Sequence, residues 1–246
     1  MMVRVIINTI FGLCVFLVGA IVVNATTLGV SPVRVTLSEK QKVGTLIVRN
    51  DGTEPVPMQL EIVNWSKEDG KDVFSPTREL IVNPPIFKVP AGGSQLIRVG
   101  LRGRTDAQRE LTYRIFLQEL PSPPDPNFNG TKLLMRLSLP VFVLPKVTAK
   151  PVLQWQAERI SDGALKVSLT NVGNEHIQII NFSLSQSGSA QPWITQNTSD
   201  YVLIGKSFDW ILQANQGYSI PQSGTSMKLF AETDAGDIEA EVLVLP

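Results

Sequence analysis

Thiols and imidazoles are nearly missing from this chain: its 246 residues include one cysteine, Cys14, and one histidine, His176. A structural zinc site, a disulfide framework, a dithiol redox pair and a Ser–His–Asp triad each need more than this, or would rest on His176 alone. Net charge is absent too. Lys and Arg total 22 and so do Asp and Glu, which argues against a nucleic-acid binder, whose affinity needs a surplus of cations facing phosphates. There is no phosphate-binding glycine loop and no dinucleotide fingerprint; Gly92-Gly93 before Ser94 reads as a hairpin turn. His176 lies in the polar segment Asn174-Glu-His-Ile-Gln178, with no second ligand nearby, and reads as an exposed or hydrogen-bonded surface histidine. Glu239 and Glu241, two apart on a strand, share one solvated face and say little about acid–base chemistry. An enzyme is the least supported class, and neither a metal nor another cofactor is called for.

What is present begins with an export signal. Arg4 supplies a positive start, Val5 to Val23 carry no charge, and Val23-Asn24-Ala25 resembles a small-x-small cleavage site. Residues 1–25 are read as a cleaved signal peptide, against the alternative of an uncleaved anchor in a thinned bilayer. Cleavage removes Cys14, and the loss of Arg4 leaves 21 basic and 22 acidic residues. The mature chain is then thiol-free and suited to an oxidising compartment.

The remainder is rich in apolar residues, 43% of the whole chain against 18% charged, enough to build a packed core. Its short runs alternate with a period of two: Met58-Gln-Leu-Glu-Ile62, Gln95-Leu-Ile-Arg-Val99, Leu165-Lys-Val-Ser-Leu169 and Met227-Lys-Leu229. Turn residues recur at Asn50-Asp-Gly52, Glu68-Asp-Gly70, Asp162-Gly163, Asn171-Val-Gly173 and Asp234-Ala-Gly236. No sustained helical spacing interrupts them. An all-β protein follows, with a boundary near Pro145–Pro151 that leaves blocks at 26–145 and 146–246. Each is near the size of an immunoglobulin-like β-sandwich, so two such sandwiches in tandem are expected.

Pro121-Ser-Pro-Pro-Asp-Pro126 holds four prolines in six residues and must be an exposed loop, since proline donates no backbone hydrogen bond. Directly after it, Leu133, Met135, Leu137 and Leu139 alternate on one face. Two readings stand: the inward face of the first block's last strand, or an edge strand kept apolar for a partner.

Several segments in order resemble the periplasmic pilus chaperones of bacterial chaperone–usher systems, in particular the archaic, spore-coat-type branch. They are Gly29-Val-Ser-Pro-Val-Arg34, Leu46-Ile-Val-Arg-Asn50, Asn83-Pro-Pro85, Pro90-Ala-Gly-Gly-Ser-Gln-Leu-Ile-Arg98, Glu110-Leu-Thr-Tyr-Arg-Ile-Phe-Leu-Gln-Glu-Leu-Pro121 and Leu133–Pro145. The resemblance implies a chaperone that completes pilin subunits by lending them a strand, here Leu133, Met135, Leu137 and Leu139, and hands them to an outer-membrane usher. An apolar edge of this kind also gives free molecules a surface on which to self-associate. The alternative from another class is an exported pilin or adhesin; a carbohydrate-binding module would need an aromatic platform, and Trp65, Trp155, Trp193 and Trp210 are widely spaced.

The resemblance further implies a basic anchor for the subunit's C-terminal carboxylate in the cleft between the domains. Arg34 matches the family's N-terminal arginine, and a structural salt bridge is its alternative role. The family's lysine on the last strand is replaced by Pro140. Arg114 on the preceding strand is the substitute, with Arg98 behind it, although Arg98 also reads as an outward-facing residue of an alternating strand. Glu110 and Asp234 match the acidic members of an interdomain salt bridge whose arginine is here Leu144, leaving Lys146 as the cation nearest in sequence. Asn83-Pro84 is expected to be a cis turn.

Overall fold

The computed structural model describes residues 28–121, 131, 133–160, 164–186, 191–213 and 219–246. The signal segment with Cys14, most of the proline-rich loop and Lys132 lie outside the described residues. Every regular element among the described residues is a β-strand.

The first block builds two facing sheets. One contains β1 (Leu28–Ser31), β3 (Val43–Asn50), β8 (Ser94–Leu101) and β6 (Leu80–Asn83), in the order β1-β3-β8-β6. The other runs β2 (Val35–Leu37), β10 (Arg136–Val143), β9 (Leu111–Glu119), β4 (Val56–Glu68), β5 (Lys71–Pro76), with β7 (Ile86–Val89) also on β4. Alternation decides which side chains go inside: along β3, Leu46 and Val48 are buried while Val43, Thr45 and Ile47 face out. Leu46, Val48, Leu60, Ile97, Val99, Ile115, Leu117, Val141 and Val143 close one core between the sheets.

The chain crosses from one sheet to the other at Ser31-Pro32 and at Asn83-Pro84, both cis peptides. Gly92-Gly93 is not a hairpin turn. It joins β7 to β8, which belong to opposite sheets, and Gly92, at φ 61°, donates to the Gly52 carbonyl at 3.2 Å. A Gly-Gly pair marks the turn but says nothing about whether its flanking strands pair.

The second block contains β11 (Leu153–Ile160), β12 (Ala164–Asn171), β13 (Ile177–Gln186), β14 (Ile194–Val202), β15 (Ser207–Leu212), β16 (Ser226–Thr233) and β17 (Ile238–Leu245). β17 pairs antiparallel with β16 and then, at Val244 and Leu245, in parallel with β11. It thereby folds one strand path, β14-β13-β16-β17-β11-β12-β15, around a second core. Trp155, Phe182 and Trp210 meet inside that core, with Trp155 and Trp210 ring centres 6.0 Å apart. They pack a domain rather than form a surface platform.

The two sandwiches share a local device that composition hides. Asn50 and Asn171 are both fully buried. Each donates its side-chain amide to the carbonyl four residues on, Glu54 and Glu175, at 2.7 Å. Each accepts from the glycine two residues on, Gly52 at 2.9 Å and Gly173 at 3.0 Å. Asn-x-Gly-x-Glu is therefore an internally satisfied turn used twice. In the second domain it fixes the backbone just before His176.

Candidate functional site at the domain junction

Outward-facing residues of β4, β9 and β10 turn toward the second domain and are covered by it. Phe142 is the clearest case. Val141 and Val143 point into the first core, so Phe142 points away from it, yet it is fully buried. It joins Trp65 and Leu203, with Tyr201 packed against them, at ring separations of 6.2 Å to Trp65 and 5.9 Å to Tyr201.

His176 lies flat on Phe142, with ring centres 3.5 Å apart and planes 6° from parallel. It is only 8% exposed. The surface reading of this histidine is thus corrected, because the first domain supplies a ring that covers it. Its neighbours Asn174 and Glu175 are polar for a different reason: the Asn174 side chain ties the loop to the carbonyls of Gln108 and Thr148 at 3.2 and 3.1 Å.

Glu110, whose side chain is fully buried, meets His176 Nδ1 at 2.8 Å and accepts the His176 backbone N–H at 2.9 Å. On the other side, His176 Nε2 faces Asp234 Oδ2 at 3.6 Å. The same Oδ2 accepts from Arg34 Nη1 at 2.6 Å, and Asp234 Oδ1 accepts the Gln178 N–H at 2.9 Å. Glu110 and Asp234 are therefore brought together, and the group between them is the His176 imidazole, with Arg34 behind it. Lys146 does not serve: it pairs with Glu39 at 3.0 Å on the surface. A position-by-position reading looks for a cation in the linker, whereas the group that bridges the two carboxylates comes from a loop of the other domain.

Burial alone would lower the His176 pKa, but the Asp234 and Glu110 carboxylates outweigh it and hold it above the usual 6.5. Burial alone would raise Asp234; His176, the Gln178 amide and Arg34 together hold it down at about 2. Glu175 is pushed up by burial and then by Glu110.

Arg34 and Arg114 flank this cluster. Arg114 sits opposite Pro140 on β9, with its guanidinium carbon 3.8 Å from the Trp65 ring centre and 5.4 Å from that of Tyr201. Burial lowers its pKa against the pull of Asp72 and Tyr201. Burial raises Tyr201, and both arginines oppose that, so the two cations act on one hydroxyl. Arg98 is elsewhere. It is exposed on β8, in the other sheet, opposite Thr45 and Asn83.

The strand leading to this cleft has one open side. β10 pairs with β9 along its whole length, but with β2 only from Val141 to Val143. Among the described residues, Arg136–Leu139 therefore present a free edge that ends beside Arg34, the residue before β2. The apolar face of this strand is the inward face, and cover fades along it. Leu139 is 7% exposed and belongs to the protein's own core; Leu137 and Met135 are half-buried; Leu133, ahead of the strand, is 87% exposed. The inward-face reading holds for Leu139, and cover thins toward Leu133 because the sandwich ends before its last strand does. Leu139 is committed inside, which leaves Leu133, Met135 and Leu137 with surface to offer.

A family model described as pili and flagellar-assembly chaperone, PapD N-terminal domain, matches residues 27–149. Among solved structures, a chain of the CsuC–CsuE chaperone–tip adhesion subunit pre-assembly complex from archaic chaperone–usher Csu pili of Acinetobacter baumannii is similar at 22% identity and a TM-score of 0.65. That match covers 89% of this chain and 100% of that one. The chaperone DraB of E. coli is similar at 22% identity and TM-score 0.58, covering 88% and 97%. A chain of the SafA pilin–SafB chaperone complex of Salmonella enterica follows at 16% identity and TM-score 0.59, covering 89% and 97%. Among curated proteins, none matches. The sandwich pair agrees with these folds, and the match from Leu28 through β10 takes in the first domain and its open-edged strand: the chain belongs to the pili and flagellar-assembly chaperone family.

Proposed function

We propose that this protein is a periplasmic chaperone that holds pilin subunits by lending them the open edge of β10 and passes them to an outer-membrane usher. The single observation that carries the reading is that free edge at Arg136–Leu139, apolar on one face and ending beside two cleft arginines. A subunit strand laid along it gains main-chain hydrogen bonds, while Leu133, Met135 and Leu137 enter its groove. Burying each such side chain contributes about 1.5–3 kcal/mol before ordering costs. The strand's terminal carboxylate reaches Arg34 and Arg114, of which Arg34 offers a planar, bidentate fork. Arg34 is already bound to Asp234, so salt bridge and anchor are successive roles of one side chain.

The test is co-expression of a client pilin with Met135→Asp/Leu137→Asp, and separately with Leu133→Asp. The latter is too exposed to disturb the chaperone's own fold. The reading requires periplasmic pilin yield to fall in both, with chaperone level and melting temperature unchanged in Leu133→Asp. Full pilin yield with Leu133→Asp and with the double variant would refute it.

A further inference from the structure

A guanidinium and an imidazole face one carboxylate oxygen at the domain junction. Asp234 Oδ2 is held by Arg34 Nη1 at 2.6 Å, while His176 Nε2 waits at 3.6 Å, buried and without a hydrogen bond among the described residues. The other ring nitrogen is engaged by Glu110. A neutral imidazole has one N–H only. If it donates from Nδ1 to Glu110, it turns a lone pair toward Asp234; the imidazolium alone donates to both. Arg34 is also the more exposed partner, its side chain 33% accessible against 12% for Asp234, and its other contacts are a long 3.4 Å hydrogen bond to Gln178 Oε1 and the Phe142 ring at 5.9 Å, so it is the side chain that can swing out toward an incoming anion.

We propose that capture of an anionic chain terminus by Arg34 is coupled to uptake of a proton by His176, which takes over Asp234 as Arg34 leaves it. This rests on the anchor reading of Arg34 given above. Withdrawal of Arg34 leaves two carboxylates, Glu110 and Asp234, facing one imidazole. Of the other charged or titratable groups near the ring, Glu175 favours the imidazolium and the Arg114 cation opposes it. Glu175 adjoins His176 and adds negative charge when ionised. Tyr201, 5.7 Å away by ring centre, donates no positive charge. Arg114 is held over Trp65, and Phe142 stacks on the ring without charge. By linkage, whatever binding does to the proton, the proton does to binding. Capture is tight when His176 is charged and weakens as pH rises through the bound-state value.

His176 is the only histidine in the sequence, so 13C-histidine labelling of the whole chain gives one imidazole signal to titrate. It is followed in the free protein, with a strand-forming peptide of alternating valine and threonine ending in a free carboxylate, and with the same peptide as its C-terminal amide. The expected result is a higher His176 midpoint with the carboxylate peptide and a smaller rise or none with the amide. A midpoint higher by about one pH unit means binding about tenfold tighter below the transition than above it. Arg34→Ala, which mimics withdrawal without any ligand, should also raise the midpoint, and Asp234→Asn should lower it. An unmoved midpoint in either variant, or with the carboxylate peptide bound, overturns the coupling. If Arg34→Ala raises the midpoint but neither peptide binds, the anchor reading fails, and with it the claim that capture is proton-linked.

Discussion

Phe142→Ala isolates the junction from both cores. The ring is fully buried, stacks on His176 at 3.5 Å and lies near Trp65 and Tyr201, yet belongs to neither sandwich core. Truncating a buried phenylalanine removes about 3–5 kcal/mol of packing, and here that loss falls on the contact between domains. It also strips the cover from His176, so water reaches the Glu110–His176–Asp234 group. Calorimetry of the mature chain at near-neutral pH should show the two domains melting together in the parent and separately in the variant. The first domain should still melt cooperatively in the variant, since Val141 and Val143 in its core are untouched. A single transition at the parent temperature would mean that Phe142 does not couple the domains, and the account of the junction would be wrong.

Other outcomes follow from the same geometry. In Gly173→Ala the new Cβ would press on the Val152 nitrogen and lie 2.5 Å from the Lys150 carbonyl oxygen; overpacking against backbone should destabilise the second domain by about 1–3 kcal/mol in urea titration. Asn171→Ala leaves the carbonyls of Glu175 and Val202 without their amide donor and should cost about 1–3 kcal/mol in the same titration. Stability should depend on pH from both ends. His176, raised above 6.5, contributes fully below that value, and the contribution is lost as pH rises through its folded-state value. Asp234, held at about 2 against an ordinary 3.8, contributes above that range and loses its share as pH falls toward 2. A pH series of chemical melts should peak between these limits, and Asp234→Asn should flatten both arms.

Alternation and turn residues are enough to read two β-sandwiches from this sequence, because period-two burial is a local consequence of strand geometry. Arg34, Arg114, Glu110 and Asp234 are legible as a charged group through family resemblance, and the structure gathers all four around the junction. His176 is not legible. Its sequence neighbours are polar because Asn171 and Asn174 satisfy backbone groups, and its cover, Phe142, comes from the other domain. Tyr201 escapes for the same reason: it becomes part of the site only when the domains meet. Leu133 to Leu139 show the limit of periodicity most clearly. The pattern identifies one face, but how far the opposing sheet covers that face depends on where the sandwich ends, which is set by partners remote in sequence.

Hydrogen–deuterium exchange across β10, with the chaperone alone and saturated with a client pilin, tests the lent edge most directly. Amides between Arg136 and Leu139 that point away from β9 should exchange freely in the free protein and become protected in the complex, alongside new protection at Leu133–Met135. Unchanged exchange there, with protection appearing on another face of the first domain, would contradict the account.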